Sequence, residues 1–556
     1  MAPRTATDSA EVLGVRINQD RIQTVVYTPP EAWAGVTTQG LYHYPATISD
    51  ASTTVEIAQF APNVNFASNS TAAVINNFAG REQMVFFISW ATDWSPTSNF
   101  LQHAYITWMT RGLYVGYRRV YLNTQIDDMF LDTDIYYPGN YSYRATTADM
   151  TAVANWVTAM NKKLNPGSFY RPEIGHNGNG NILYSENVND AALNTCKPNS
   201  IDTGLHNDTA LEFQKPLGTG TDAWPKTPTT FTYTAKCLDL DPLKVWFANA
   251  ANRDQFMHIT HTFTHYELNN STYSDALKEI QFNQAWLKQT TIDGGNFSAN
   301  GLIPPAITGL HNGDAIRAWV AAGLRNCVGD NTRPGLRNQN NFMWPYITTM
   351  AANGYDGYEV IPRWATRIYY NCDTMDCTTY EWIVTSAGSG TFSDLMAVEK
   401  ADTSRHLFGL YHDGFMFHQA NLRNAGNAGY TTADGTTVYS IFQSWVEQTA
   451  QEFTRLVNWP LITVRQTDLA VSFTNRMTRD ACNYSLSYSK TNTTITSVTV
   501  SATSSTCSAA IPVTVPGSVT NTQGFTTEKI GNDPLTIWVK LSGSPVTFTL
   551  STPIPI

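Results

Sequence analysis

The residues best suited to chemistry lie in three short stretches. HITHTFTHYELNN (258–270) carries three of the chain's eleven histidines, His258, His261 and His265. The i, i+4 spacing of His261 and His265 predicts two imidazoles on one face of a helix turn, where both can reach one metal ion. A metal held by two histidines takes a carboxylate as a further ligand and leaves room for water. NTQIDDMFL (123–131) supplies Asp127 and Asp128 at the end of a strand-like run. Neighbouring carboxylates there can divide two roles, one binding the metal and the other deprotonating the water it activates. GLYHDGFMFHQANL (409–422) adds His412 and His418. Each feature alone has a plainer reading, as core or surface histidines and as solvated or capping aspartates. His258, inside the strand-like QFMHIT, reads as a hydrogen-bonded support and not as a third ligand.

The elements that must position these groups alternate. YVGYRRVYLNTQIDD reads as a strand with apolar alternation at Val120, Leu122, Thr124 and Ile126. ADMTAVANWVTAMNKKL (148–164) reads as a helix, and Thr272 with Asp275 has capping-box spacing ahead of SDALKEIQFNQAWLKQ. GLIPPAITGL, GYEVIPRWA, RHLFGLYH and FMFHQANL read as strands, with helical patterns between them. SIFQSWVEQTAQEFTRLVNW (440–459) is the strongest helix, with Ile441, Trp445, Phe453 and Leu456 on one face. This order predicts an α/β fold, a distorted (β/α) barrel, in which sites form at strand ends. Around it, residues 1–110, with strand-like VRI and TVVY, read as a β-rich accessory segment, 111–460 as the main domain and 461–556 as a Thr/Val-rich β-sandwich-like region. The polar stretch 177–236, rich in Gly, Pro and Asn, reads as an insertion carrying surface loops.

Composition narrows the setting. Of 556 residues only 14% are charged, and the net charge is −10 with no basic run, so nucleic acid is not the expected partner, whereas a polycation would be tolerated. No stretch is apolar for the roughly 20 residues that span a bilayer, and MAPRTATDSAEVLG has no apolar leader region. N-x-[S/T] sequons occur along the chain, among them Asn69, Asn140, Asn207, Asn270, Asn296, Asn483 and Asn492. Cys372 with Cys377, Cys482 with Cys507 and Cys196 with Cys237 form three plausible disulfides, leaving Cys327 in an apolar setting. Disulfides and sequons together favour a secreted protein.

The three motifs, in this order, resemble those of the NodB-like polysaccharide deacetylases: a strand ending in an acidic pair, here Gln125-Ile126-Asp127-Asp128; H-[S/T]-x-x-H, here His261 to His265; and a late strand carrying a histidine. GLYHYPATI (40–48), the run from Trp90 to Arg119, IGHNGNGN (174–181), DTALEFQKPLGTGT (208–221), PPAITGLHNGDAIRAW (304–319) and PRWATRIYYNCD (362–373) are similar to the fungal secreted deacetylases that act on galactosaminogalactan. That similarity spans most of 37–425, and the first 36 residues match poorly. It implies that Asp128, His261 and His265 bind one divalent metal, zinc first among candidates, that Asp127 is the general base and that His418 is the general acid, with His412 second. The Arg-x-Pro-Tyr motif whose arginine orients the base is not evident; Arg363 in IPRW is preferred over Arg333. The implied enzyme is a monomer, secreted to the cell wall or biofilm, that removes N-acetyl groups from an N-acetylgalactosamine-containing exopolysaccharide. For the polymer, Trp364 is the first groove candidate among many aromatics, and His176, Asn177 and His311 sit in loops able to touch substrate, as does His412. Two rivals remain. A glycoside hydrolase needs carboxylates that straddle a bond, which adjacent Asp127 and Asp128 do not supply without a distant Glu. A non-catalytic carbohydrate-binding cell-wall protein would have no use for an intact metal set.

Overall fold

The structure, a computed structural model, describes Arg4–Thr5 and residues 35–63, 65–187, 195–204 and 209–556. The strand-like VRI and TVVY and the sequon at Asn207 lie outside the described residues.

The centre is one nine-stranded sheet. Its strands in chain order are β1 (Asn123–Met129), β2 (Glu173–His176), β3 (Met257–Thr260), β4 (Phe297–Leu302), β5 (Asn326–Val328), β6 (Tyr346–Ile347), β7 (Glu359–Ile361), β8 (Arg363–Ala365) and β9 (Gly414–His418). Across the sheet they run β6-β7-β5-β4-β3-β2-β1-β9-β8. Every pair is parallel except β6 with β7. β7 and β8 are two halves of one extended segment broken at Pro362. The first half pairs with β5 and the second with β9, so the sheet curls into the expected distorted barrel. Gly329 N and Asn331 N donate to the carbonyls of Ile361 and Arg363 and carry that closure across the break.

The two faces of the sheet differ. Ile126 on β1 and Phe415 and Phe417 on β9 turn outward into the core under the helices. Helix Ile441–Leu456 packs there through Ile441, Trp445, Phe453 and Leu456, all buried, each worth about 1.5–3 kcal/mol. Inside the barrel β1 presents Asn123, Gln125 and Asp127, buried but hydrogen-bonded. Gln125 donates to Glu173 and to Gln466, the first residue of helix Gln466–Asp480, whose backbone N–H donates to Glu173 in turn. A carboxylate at a helix N-terminus thus closes the lower end of the barrel.

Several readings change. RHLFGLYH is not a strand: Arg405–Phe408 complete helix Phe392–Phe408. YVGYRRVYLNTQIDD is three strands, Tyr114–Val115, Val120–Tyr121 and β1, interrupted at residues 116–119 and at Leu122. Residues 35–110 contain the antiparallel strands Thr54–Phe60, Ser70–Phe78 and Arg81–Phe86, and also a helix, Pro96–Thr110, capped by Ser95 and entered through Pro96. The β-rich tail opens with helix Gln466–Asp480, which packs on the barrel through Leu469, Ala470 and Phe473. Two sheets then enclose a core that includes Val498, Val500, Ile511, Val513, Ile537 and Phe548, one sheet gaining Tyr114–Val115 from the start of the barrel. The insertion begins with a buried helix, Gly178–Ser185, before its described part becomes loop. Disulfides join Cys196–Cys237, Cys372–Cys377 and Cys482–Cys507, and Cys327 is free and buried.

Candidate active site

Parallel strands of a curled sheet splay at their C-terminal ends, and β1, β3 and β9 deliver their polar residues there. Registry aligns His418 with Asp127 on β9 and β1, and His176 with Thr260 on β2 and β3. Asp128 has φ 65° and Phe130 φ 87°, so β1 turns sharply and presents Asp127 and Asp128 to the same opening.

His261 and His265 do not lie on a helix. The segment after β3 is a loop in which Thr262 (φ 67°) and His265 (φ 66°) are left-handed, and this backbone, not helical spacing, brings the rings within 4.9 Å of each other. The conformation is fixed by buried acceptors and donors. Glu279 of helix Tyr273–Gln289 accepts from Phe263 N and Thr264 N, both at 2.9 Å, from the Thr264 hydroxyl and from Trp224 Nε1 at 2.8 Å. Asn177 donates to the carbonyls of His261 and Thr262. His261 Nδ1 donates to Ile303 O at 2.8 Å.

Asp128 Oδ1 lies 3.0 Å from His261 Nε2 and 3.3 Å from His265 Nε2. The donor atoms of Asp128, His261 and His265 all fall within 4.8 Å of one another. With Nδ1 committed to a carbonyl, a neutral His261 turns a lone pair toward a carboxylate oxygen, an arrangement that a shared cation reconciles. The residues therefore fit a divalent metal. Burial pushes the Asp128 carboxyl up, but the imidazoles of His265 and His261 outweigh it and hold it well below the usual range. Burial lowers His265, yet Asp128 raises it on balance.

Asp127 is buried and gripped by Arg363, whose Nη2 and Nη1 donate to its two oxygens at 2.6 and 2.9 Å. Arg363 is itself fully buried, so this fork fixes the carboxylate plane. Arg333 instead pairs with Glu212. His418 Nε2 stands 3.9 Å from Asp127 Oδ2, on the side of Asp127 formed by β9. Burial lowers its imidazole against the pull of Asp128 and Asp127.

The remaining candidates lie elsewhere. His412 precedes β9 at the opposite end of the barrel, fully buried, with Nε2 2.9 Å from Arg119 O and Arg476 on its ring. It cannot reach Asp127 or a ligand at the strand C-termini. His176 and Asn177 are also fully buried: His176 Nε2 meets His258 Nδ1 at 2.9 Å, and Asn177 supports the histidine loop, so neither faces a substrate. His258 is the expected support, bonded to His176 and to Arg253 O. His311 is engaged by Glu212 and Ala352 O. Trp364 alternates with Arg363 on β8 and so turns outward, 4.6 Å from the His406 ring and away from Asp127. Sequence reasoning passed over Glu279, although a signal existed: a carboxylate stands on the apolar stripe Ala276, Ile280 and Trp286 of its helix.

Known proteins resemble this chain over nearly its whole length. A family model for the Agd3 deacetylase domain matches residues 122–487. Models for the Agd3 CBM87 module and the Agd3 C-terminal domain match residues 23–108 and 488–554. A crystal structure of Agd3, described as a novel carbohydrate deacetylase, superposes with a TM-score of 0.95 at 60% identity, over 98% of this chain and 81% of that one. A search of curated protein sequences gives no match.

Proposed function

The chain belongs to the Agd3 deacetylase family and is a polysaccharide N-deacetylase, and we propose that it is metal-dependent and acts on an N-acetylgalactosamine-containing exopolysaccharide, galactosaminogalactan. The convergence of Asp128, His261 and His265 beside an Arg363-clamped Asp127 is the observation that carries the reading. Asp128, His261 and His265 would hold the metal, and two imidazoles with one carboxylate suit zinc. When bound, such a metal polarises the acetyl carbonyl and lowers the pKa of water to about 7.

The protein's own groups do the rest. Arg363 occupies both oxygens of Asp127 and fixes the direction in which the carboxylate accepts the proton of the attacking water. The water oxygen bonds to the acetyl carbon, the C–N bond breaks, and acetate leaves. His418, 3.9 Å from Asp127 Oδ2, is positioned to deliver a proton to the departing amine. The product is a cationic polymer, attracted to a chain of net charge −10 by a force that salt screens. We further propose that the enzyme works as a secreted monomer at the cell wall or biofilm. The three disulfides support secretion, and no described helix is long and apolar enough to cross a membrane.

Acetate release from N-acetylhexosamine oligomers, with and without chelator and alongside a count of reducing ends, tests the reading. Chelator-sensitive acetate without new reducing ends is expected. New reducing ends would indicate a glycoside hydrolase, and bound oligomer that yields neither product would indicate a binding protein.

A further inference from the structure

Beside the catalytic groups the surface carries a run of exposed tyrosines that packing does not require. Tyr370 is 55% exposed and meets the His418 ring edge-on at 5.7 Å. Its hydroxyl lies within electrostatic reach of Asp128, Asp134 and Glu381. Asn371, the next residue, accepts through its carbonyl from Tyr136 N at 3.0 Å. Tyr136 and Tyr137, 41% and 40% exposed, lean on Tyr380, 43% exposed, with the rings of Tyr137 and Tyr380 stacked at 4.3 Å. The run therefore extends from His418 outward, Tyr370 joined to Tyr136 through the Asn371 carbonyl, and Tyr136 and Tyr137 to Tyr380 through their rings. It is also rigidly hung. Asn421, three residues after His418, donates to Tyr369 O and Cys372 O, each at 2.8 Å, and the Cys372–Cys377 disulfide ties that loop to helix Met375–Thr385, which carries Tyr380.

Resting on the deacetylase reading, we propose that Tyr370, Tyr136, Tyr137 and Tyr380 form a stacking rail that binds the hexosamine units neighbouring the one being deacetylated. Single exposed aromatics are ordinary, but a contiguous patch that runs into a catalytic opening marks a binding surface. Tyrosine presents an apolar ring to the C–H face of a pyranose and a hydroxyl to its polar edge. The charges around the rail choose between polymers. Asp134 and Glu381 lie within electrostatic reach of Tyr370, burial pushing the Glu381 carboxyl up to about 7, and Arg423 is already paired to Asp373. A polyanionic glycan is disfavoured there, whereas a neutral N-acetylated chain, or one carrying free amines left by earlier turnover, is accepted.

The test uses the far end of the rail, away from the catalytic groups. Tyr380→Ala and Tyr137→Ala are compared with wild type and with Tyr380→Phe for acetate release from an N-acetylhexosamine dimer and hexamer. The rail predicts a KM for the hexamer about threefold to tenfold higher in the alanine variants, a smaller rise for the dimer, and Tyr380→Phe close to wild type. An unchanged hexamer KM, or a parallel change for dimer and hexamer, overturns it. Calorimetric binding of the hexamer separates the two readings, because it does not depend on turnover. If the wild type releases no acetate yet the hexamer binds more weakly to Tyr380→Ala than to Tyr380→Phe, the deacetylase reading fails and the rail stands. Equal affinity in all variants removes the rail.

Discussion

A histidine precedes β9 and another ends it, and the two could hardly differ more. His412, at the entry to the strand, is locked in the interior between Arg119 O, Arg476 and the ring of Tyr121 at 4.2 Å, and burial together with Arg476 holds its imidazole well below the ordinary value. With Nε2 donating and Nδ1 accepting, it is a neutral packing group. His418, at the exit, faces Asp127 and retains access to the opening, with its side chain 16% exposed. The same contrast separates His176 and His258, paired beneath the site, from His261 and His265 above them. Residue type does not distinguish these histidines. Their position along a parallel strand does, because only the C-terminal ends diverge enough to admit a ligand while loops there remain free to vary.

The sharpest break of this contrast removes the groups at the exit end. Asp128→Ala or His265→Ala is expected to lose bound metal and activity together, at least about 10⁴-fold in kcat/KM. Metal content and acetate release measured on the same preparation decide it, and a metal-free variant that still turns over would exclude metal dependence. Next, Asp127→Asn should retain the metal and lower kcat by about 10²–10⁴-fold. Full activity in that variant would reject the base assignment. A paired comparison sharpens the argument further. His418→Ala should lower kcat by about 10²-fold with little change in Tm. His412→Ala should leave kcat near wild type and cost about 2 kcal/mol of stability through a lost buried hydrogen-bonding ring. If the two histidines exchanged these phenotypes, the exit end would not be the site.

Much of this was legible in the sequence, for reasons that can be named. The acidic pair, the H-x-x-x-H spacing and the late histidine each survive as letters because all of their members sit in short contiguous stretches. The alternation of strands and helices was readable because the outer face of the barrel is apolar at regular intervals, as Leu122 and Ile126 illustrate. What failed was orientation. The i, i+4 spacing suggested a helix, but two left-handed residues in the loop achieve the same convergence, and no letter pattern announces φ 67° at Thr262. Trp364 looked like a groove residue because it adjoins Arg363, yet alternation on a strand sends neighbours to opposite faces. RHLFGLYH read as a strand because an apolar run at a helix end has no period of its own. The contacts that fix His176, Asn177 and His311 lie 41 to 107 residues away along the chain and are invisible without the fold.

Glu279 joins the two ends of the comparison, since it is an interior residue that acts on the exit. It sits on the buried stripe of its helix, where a carboxylate is expensive unless satisfied, and four donors satisfy it. Two of those donors are the N–H groups of Phe263 and Thr264, between the candidate ligands His261 and His265. Glu279→Gln keeps the shape of the side chain but turns an NH₂ group toward at least one donor that needs an acceptor. The left-handed turn should loosen and metal affinity fall about 10- to 100-fold, as for other groups that orient ligands from behind. Activity should then return at saturating metal, which Asp128→Ala cannot do, so a metal titration of the two variants side by side distinguishes a positioning residue from a ligand. Unchanged affinity would mean that Asn177 and the Ile303 carbonyl hold the loop without help.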